Sequence, residues 1–450
     1  MNGQSENFGE FDSAEPPRLG TEHTLVLVPV SKRARSAAGS KDRDTDARLA
    51  EAIGLARAID LDVVDGIVVP VGEFRPSTLF GSGKVDELAV RIAAEEIGLV
   101  IVDHGLSPVQ QRNLEKALKA KVIDRTGLIL EIFGARAQSR EGTLQVELAH
   151  LNYQKSRLVR SWTHLERQRG GFGFLGGPGE TQIEADRRVI SERIAKIERE
   201  LKTVSTRRRL QRENRRRSGT PVIALVGYTN AGKSTLFNAL SHAESYADNR
   251  LFATLDPTLR RIELPHGTEV ILSDTVGFVS DLPTSLVAAF RATLEEVTEA
   301  DLILHIRDIA HPDSDAEARD VAEVLEELGI DINADGLTIE VWNKIDLLPD
   351  GARPNRAGSD HAAPIVAVSA LTGEGLDDLR SAIEQNISSA RPVFEVELTG
   401  QNLASLHSLY KFGEVLERSD RSDGSTSVRV RIPDASLSRF QELFPDARKA

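Results

Sequence analysis

The sequence predicts a multidomain α/β protein with an N-terminal α/β domain, an antiparallel helical hairpin, a second α/β domain and a small α+β C-terminal domain. Two stretches of the chain alternate short apolar runs with amphipathic helices, which is typical of largely parallel sheets. Between them, apolar residues recur at heptad spacing on both sides of a glycine-rich break, which predicts two paired helices. The 450 residues are enough for about three domains.

The N-terminal domain is expected over residues 21–140, after a disordered tail at 1–20. Its strand candidates are short apolar runs, and its helix candidates repeat apolar residues every three or four positions. Strands are predicted at 25–28, 63–69, 99–102 and 122–123, and helices at 44–59, 85–96 and 108–119. The order of these elements favours a largely parallel sheet.

The hairpin and a basic linker are expected over residues 141–218. The heptad positions are Leu144, Leu148, Leu151, Leu158, Trp162 and Leu165 in the first helix and Ile190, Ile194, Ile197, Leu201 and Val204 in the second. Six glycines and a proline at 170–179 cannot continue a helix. This break is either a flexible turn or a functional tip, and its apolar residues Phe172, Phe174 and Leu175 favour the tip.

Charge is unevenly distributed along the chain. The formal net charge is −13, yet residues 187–217 hold 13 basic and 4 acidic residues, a local charge of +9. The remaining residues therefore carry −22. The arginine run 207–217 is either a solvated linker or a contact for RNA phosphates, and its place beside the hairpin favours RNA.

Composition excludes several other classes of protein. No apolar run approaches the ~18 residues of a membrane span, and the first 20 residues lack the features of a secretory signal. Cysteine is absent, which excludes disulfides and cysteine-ligated metals and fits a cytoplasmic protein. The histidines show no zinc-ligand spacing.

The second α/β domain, expected over 219–390, contains a phosphate-binding loop. Its strands are predicted at 222–226, 270–272, 302–304, 339–341 and 365–368, in the order of a doubly wound sheet. Between the first strand and its helix, the sequence fits G-x-x-x-x-G-K-[ST] with Gly227, Tyr228, Thr229, Asn230, Ala231, Gly232, Lys233 and Ser234. Such a loop points backbone N–H groups at phosphate oxygens, while Lys233 adds a cation and Ser234 a ligand for Mg²⁺.

Three more motifs follow the later strands of this domain. Asp274-Thr275-Val276-Gly277 can hold Mg²⁺ through water and present the Gly277 N–H to a γ-phosphate. The second motif, Asn343-Lys344-Ile345-Asp346, can recognise guanine. The Asp346 carboxylate can accept from both the N1–H and the amino group of guanine, whereas adenine would leave this carboxylate unpaired. We expect Val368-Ser369-Ala370 to add a backbone N–H to the guanine oxygen.

This series of motifs resembles that of Ras-like GTPases, and the chain most resembles the HflX family within the Obg–HflX group. The resemblance rests on Phe252-Ala253-Thr254-Leu255-Asp256-Pro257-Thr258 and on 274–278 in the nucleotide-binding part, and upstream on 125–133 and 176–182. It implies a cytosolic Mg²⁺-dependent GTPase, expected to be a monomer, that binds the large ribosomal subunit and acts in ribosome splitting, rescue or biogenesis. It also implies that Thr254 is the switch I threonine, which closes on Mg²⁺ and the γ-phosphate.

The candidate catalytic residues are Lys233, Thr254 and Gly277, and the candidate Mg²⁺ ligands are Ser234 and Thr254. The candidate residues for binding GTP or GDP are Gly227, Tyr228, Thr229, Asn230, Ala231, Gly232, Lys233, Ser234, Thr235, Phe252, Ala253, Thr254, Leu255, Asp256, Asp274, Thr275, Val276, Gly277, Asn343, Lys344, Ile345, Asp346, Val368, Ser369 and Ala370.

Phe278 departs from the Ras-like pattern, in which a glutamine orients the attacking water. A phenyl ring cannot do this, so hydrolysis is either slow or uses a group from elsewhere. Asn230 stands where similar K⁺-dependent GTPases ligate the cation, so it is expected either to bind K⁺ or only to brace the loop.

Two other functions stay open from the sequence. The chain could be a GTP-dependent module that recognises a protein partner, or an enzyme with a second nucleotide site near Lys84, where Phe80-Gly81-Ser82-Gly83-Lys84 precedes a helix. A simple glycine turn is the favoured interpretation of that segment, because it lacks the full spacing of a phosphate loop. No chemistry is expected from residues 391–450, where a strand at 394–398, a helix at 402–417 and a strand at 428–432 are predicted.

Overall fold

A computed structural model describes most of the chain in atomic detail. The described residues are 23–31, 44–168, 182–241, 251–252, 254–280, 286, 294–332, 334, 336–349, 363–389, 392–399, 406–420, 425–432 and 434–449. The predicted tail at 1–20, the glycine-rich break with Phe172, Phe174 and Leu175, and Ala253 lie outside them. Two compact units are present: β1 (His23–Ser31) with Arg48–Leu128, and the residues from Ile129 onward with 44–47.

The first unit is a parallel α/β sheet. Its elements are β1, α1 (Thr45–Arg57), β2 (Asp62–Val71), α2 (Ser82–Ala94), β3 (Leu99–Val102), α3 (Pro108–Leu118) and β4 (Lys121–Asp124), and the strand order is β2-β1-β3-β4. All three strand pairings are parallel, as the sequence predicts. Leu25, Leu27, Val100 and Val122 are fully buried in its core.

A buried ion cluster joins the carboxyl ends of these strands. Arg125, which begins α4 (Arg125–Arg136), donates to Asp103 and to Glu51, and its side chain is 6% exposed. Asp124 accepts from the backbone N–H groups of Leu106 and Gly127. The motif that begins at Arg125 therefore holds together the loops at one edge of the sheet.

The hairpin consists of α5 (Arg140–Gln168) and α6 (Gln182–Ser218). Two ion pairs show that the helices run antiparallel, since Arg140 pairs with Glu200 and Glu147 with Arg193. Leu144, Ile194 and Ile197 are buried. The arginine run 207–217, which the sequence leaves as a linker, is a continuation of α6.

The nucleotide-binding fold has a six-stranded sheet in the order β10-β9-β8-β5-β7-β6. Its elements are β5 (Val222–Gly227), α7 (Lys233–Ser241), β6 (Thr258–Glu263), β7 (Glu269–Asp274), β8 (Leu302–Asp308), α8 (Ser314–Glu327), β9 (Thr338–Asn343), a 3₁₀ turn (Ile345–Leu347), β10 (Ile365–Ala367) and α9 (Leu376–Ser389). All pairings are parallel except that of β6 with β7. The carboxyl ends of β5, β7, β8 and β9 therefore meet at one edge.

The C-terminal part is an antiparallel sheet of order β12-β13-β11-β14, whose pairings are all antiparallel. It contains β11 (Val393–Leu398), α10 (Leu406–Phe412), β12 (Glu414–Asp420), β13 (Thr426–Arg431), α11 (Asp434–Leu443) and β14 (Arg448–Lys449). The predicted helix at 402–417 is wrong over 414–417, which belong to β12. Gly413 ends the helix where a Cβ would lie 2.1 Å from the Arg431 carbonyl oxygen.

Within the described residues, no helix combines the length and the apolar character that crossing a membrane requires.

Candidate functional site

The phosphate loop connects the central strand β5 to α7. Lys233, the first residue of α7, is 6% exposed, and its Nζ donates to the carbonyl oxygens of Gly227 at 3.0 Å and Tyr228 at 2.7 Å. Burial lowers the pKa of Lys233 to about 8, although the nearby carboxylates of Asp274 and Glu317 oppose this. The ammonium group is thus held under the loop, where an anion would replace its neutral carbonyl partners.

Two glycines of the site are required by close approach. Gly232 has φ +93°, and a Cβ there would lie 2.2 Å from the Asn343 Nδ2. A Cβ at Gly277 would lie 3.0 Å from the Lys233 Nζ and 2.9 Å from the Thr229 Cγ2. The Gly277 backbone therefore lies directly against Lys233, the cation of the phosphate loop.

Ser234, Thr254 and Asp274 meet at the edge of the sheet. The hydroxyl groups of Ser234 and Thr254 lie 2.9 Å apart, and both donate to the Asp274 Oδ2, at 2.8 and 2.9 Å. Asp274 is 3% exposed, its Oδ1 has no partner among the described residues, and burial raises its pKa against the opposing bond from Ser234. Two hydroxyls beside a carboxylate with an unpaired oxygen fit Mg²⁺, which prefers oxygen ligands.

The side chain of Phe278 is buried and offers no polar group to the phosphate loop. Its side chain is 1% exposed, its N–H donates to the Gly227 carbonyl and its carbonyl accepts from the Thr229 N–H at 2.7 Å. The Tyr228 hydroxyl accepts from the Ser280 N–H at 2.7 Å. Hydrogen bonds therefore hold the segment after Gly277 against the phosphate loop. The hydroxyl of Thr229 is buried beside this segment and has no hydrogen-bond partner among the described residues.

The predicted base-recognition residues also come together. Asn343 is 1% exposed and bridges two loops, because its Nδ2 donates to the Ala231 carbonyl at 2.8 Å and its Oδ1 accepts from the Ala370 N–H at 3.0 Å. The Ser369 hydroxyl donates to the Asp346 Oδ1 at 2.6 Å and orients this carboxylate. The Ser369 N–H donates to the Glu374 carbonyl and is therefore not free for guanine. The expected bond to the guanine oxygen would have to come from the Ala370 N–H, which would then be shared with the Asn343 Oδ1.

Asp308 is a residue of this pocket that sequence analysis missed. It ends β8, and its Oδ2 lies 2.7 Å from the Nζ of Lys344, whose φ is +64°. This ion pair holds the Lys344 side chain next to the motif that is predicted to read guanine. The sequence feature that could have identified Asp308 is its position, a carboxylate at the end of a strand that pairs with β5.

The other predicted residues support the loops. The Thr275 hydroxyl donates to the Leu225 carbonyl at 2.6 Å, and Leu255, Val276, Ile345 and Val368 are buried. Thr235 occupies the third position of α7. Phe252 packs edge-to-face on Phe133 at 4.7 Å, and the Asp256 carboxylate accepts from residues at the start of α5.

The second phosphate site considered near Lys84 has a cavity of 730 Å³ beside it, lined by Phe74, Arg75 and Lys84 among others. The Lys84 Nζ, however, pairs with the Glu87 Oε1 at 2.7 Å. This local pairing favours the simple helix-start interpretation. No group of three or more histidine, aspartate or glutamate side chains among the described residues could hold a metal ion.

Comparison with known proteins gives consistent matches along the chain. Family models match as a GTP-binding GTPase N-terminal region at 46–134, a GTP-binding GTPase middle region at 136–215, a 50S ribosome-binding GTPase at 222–344 and an HflX C-terminal domain at 355–444. A GTPase HflX of Magnetococcus marinus is 49% identical, with 89% of this chain and 91% of the relative covered. That of Escherichia coli is 45% identical, with 82% and 86% covered.

Among solved structures, a GTP-binding protein of Sulfolobus solfataricus in complex with GDP is similar at 23% identity and a TM-score of 0.42. That likeness covers 81% of this chain and 99% of the other.

Proposed function

The chain belongs to the HflX family of GTPases, and from this we propose that it is a Mg²⁺-dependent GTP switch acting on the large ribosomal subunit in the cytoplasm, as a monomer. GTP binding and hydrolysis follow from the family. The observation that carries the ribosomal part is the basic segment 187–217, a helix with local charge +9 in a chain whose total is −13.

The chain's own residues would bind and align the triphosphate. Lys233 and the N–H groups at the start of α7 hold the phosphates, and Gly277 reaches the γ-phosphate beside them. Ser234 and Thr254 would ligate Mg²⁺, with Asp274 accepting from its water shell. When bound, Mg²⁺ supplies positive charge that neutralises the phosphate oxygens in the transition state.

Hydrolysis by the free chain is expected to be slow. A buried Phe278 offers no hydrogen bond to the attacking water, so one stabilising group is absent from the position where Ras-like enzymes have it. Asn230 is exposed with φ +61° at the loop edge, where a monovalent cation could bridge its side chain and the phosphates.

The role of Asn230 is tested by ion exchange. With ribosomes present, turnover in KCl should exceed turnover in matched NaCl, and Asn230→Ala should remove the difference. Equal rates in the two salts would leave Asn230 as a brace of the loop.

Ribosome association rests on electrostatics that RNA would exploit. A helix with clustered arginines can neutralise several phosphates, and each one neutralised releases counterions, so affinity falls steeply with salt. The acidic remainder of the chain is repelled by RNA, which confines binding to the basic segment. A protein partner would give a shallower salt dependence.

The test is co-sedimentation of the full chain with 50S subunits, with a non-hydrolysable GTP analogue or GDP, across a salt series. The analogue should promote binding. Replacing Arg207, Arg208 and Arg209 by alanine should weaken binding and flatten the salt dependence, with GTP affinity unchanged. The matched control removes the same charge from the C-terminal sheet and helix, at Arg418, Arg429 and Arg439, and should not alter binding.

Equal sedimentation with the analogue and GDP would contradict the switch. Salt-independent binding would instead favour the alternative function, recognition of a protein partner.

A further inference from the structure

We propose that Asp256 is a positioning residue that couples switch I to the helical hairpin, by fixing the Thr254 segment to the N-terminus of α5. The inference rests on the proposed function in one respect, namely that Thr254 closes on Mg²⁺ and the γ-phosphate. It adds the mechanical link through which the hairpin and the nucleotide act on each other.

The first observation is the set of contacts that Asp256 makes. Its Oδ2 accepts from the backbone N–H groups of Gln138 at 2.9 Å and Ser139 at 2.7 Å, and the Ser139 hydroxyl donates to its Oδ1. The Ser139 Oγ in turn accepts from the Gly142 N–H at 2.9 Å. N–H groups at a helix start lack partners within the helix, and a carboxylate there is favoured by the helix dipole. Ser139 is therefore the N-cap residue of α5, and Asp256 holds this residue and Gln138 before it from 117 residues away in the chain.

The second observation is the set of contacts made by Thr254, two residues before Asp256. The Thr254 hydroxyl donates to the Asp274 Oδ2 and lies 2.9 Å from the Ser234 Oγ. Leu255 between them is 3% exposed, and Phe252 is anchored on Phe133 of α4. Switch I is therefore held on one side by the Mg²⁺ site and on the other by the base of the hairpin.

The short tether makes the two contacts interdependent. Two residues span at most about 7 Å of extended chain. If Thr254 moves away after the γ-phosphate is lost, Asp256 cannot keep all three bonds to α5. Conversely, displacing α5 pulls Asp256 and loosens Thr254. By linkage, the factor by which the contact between Asp256 and the start of α5 strengthens GTP binding equals the factor by which bound GTP stabilises that contact.

The experiment breaks the link from the hairpin side. A Cβ at Gly142 would lie 2.6 Å from the Asp256 Oδ1, so Gly142→Ala displaces the carboxylate while alanine favours the helix. Gly134→Ala is the matched control, because its Cβ would have only the Val146 Cγ1 near it, at 4.0 Å. Asp256→Ala breaks the link from the switch side, and Asp256→Asn, which keeps an acceptor oxygen, should restore part of the effect.

The readout is the ratio of affinities for a non-hydrolysable GTP analogue and for GDP, measured with Mg²⁺ on the full chain without ribosomes. Gly142→Ala and Asp256→Ala should each lower this ratio about five- to tenfold, mostly through the analogue. Gly134→Ala should leave it unchanged. Amide exchange at 138–144 should slow on adding the analogue in the wild type and not in Gly142→Ala.

An unchanged ratio in both Gly142→Ala and Asp256→Ala would overturn the link. Thr254→Ala separates this failure from failure of the underlying function. If Thr254→Ala also leaves the ratio unchanged, the assignment of Thr254 as the switch threonine is wrong. Because no ribosome is present, absence of ribosome binding cannot produce either result.

Discussion

We expect a single carboxylate to decide which base the pocket accepts. Asp346 is oriented by the Ser369 hydroxyl at 2.6 Å, and Asn343 fixes the surrounding loops. Asp346→Asn replaces an acceptor by a donor facing the N1–H and amino group of guanine. GTP affinity should fall by a few kcal/mol, as expected for unpaired buried polar groups, and xanthosine triphosphate should bind better than GTP.

The measurement is competition between the two nucleotides in equilibrium binding. The control is Asp308→Asn, which loosens Lys344 without touching the base edge and should weaken both nucleotides alike. Undiminished GTP affinity in Asp346→Asn would refute the guanine assignment.

Gly277, which we expect to contact the γ-phosphate, has almost no free space beside its Cα. A Cβ there would lie within 3.0 Å of Lys233 and Thr229, so Gly277→Ala must push apart the lysine and the phosphate loop. GTP turnover should fall at least about tenfold, since one transition-state contact is worth that much, with a smaller loss of GDP affinity. Gly105→Ala, where a Cβ meets nothing within 4 Å, is the control. Normal turnover in Gly277→Ala would remove Gly277 from the catalytic site.

At this scale, the site residues that the sequence predicts are those that lie within short motifs of fixed spacing. The phosphate loop, Asp274 and Asp346 each follow a strand within one short motif. The contact of Asp256 with the start of α5 could not be predicted from the sequence, because its partners at 138 and 139 lie more than a hundred residues away. Asp308 was missed since a lone aspartate after a strand has no motif around it.

Among the elements, the β6–β7 turn is tied to α9 by one buried carboxylate. Glu384 is 6% exposed, accepts from the His266 backbone N–H, and its Oε2 lies 2.7 Å from the His266 Nδ1. Burial alone would raise the pKa of Glu384, but the hydrogen bonds from His266 and Thr268 outweigh it, so the pKa lies below its usual 4.5. The antiparallel edge of the sheet thus depends on a long-range contact.

Glu384→Gln should lower the free energy of unfolding by about 1 kcal/mol at pH 7. Because the folded pKa is the lower one, the wild-type advantage is present above pH 4.5 and is lost as pH falls through the folded pKa. Thermal melts of both forms from pH 7 to pH 3 should therefore converge. Glu327→Gln, at an exposed end of α8, should match the wild type throughout. A constant difference at all pH values would contradict the hydrogen-bond explanation.

Elements with strong periodicity were predictable, and weak ones were not. The buried parallel strands and the hairpin helices carry continuous apolar patterns. β6 was missed because Thr258–Glu263 is an edge strand of mostly polar residues. The helix predicted at 402–417 fails at Gly413, whose backbone packs against β13, and such a close approach between distant strands leaves no periodic signal.

For the whole molecule, charge and nucleotide chemistry are assigned to different parts of the chain. The proposed GTP site lies at the edge of the six-stranded sheet, whereas the clustered positive charge lies in α6. We therefore expect the hairpin to be the main ribosomal anchor. Residues 220–390 alone should bind GTP normally and 50S subunits far more weakly than the full chain does.

Replacing residues 170–179 in the full chain by a short Gly-Ser turn separates anchoring from action. The α5 and α6 helices have 29 and 37 residues, so at about 1.5 Å per residue they can reach tens of ångströms from the hairpin base. Phe172 and Phe174, beside Leu175 and among glycines that permit close approach, can stack on exposed bases. The variant should keep 50S binding through the arginines but lose any effect on subunit association, followed by light scattering with the GTP analogue. If residues 220–390 bind 50S subunits as tightly as the full chain, the anchor lies in the nucleotide-binding fold, and the basic helix serves another purpose.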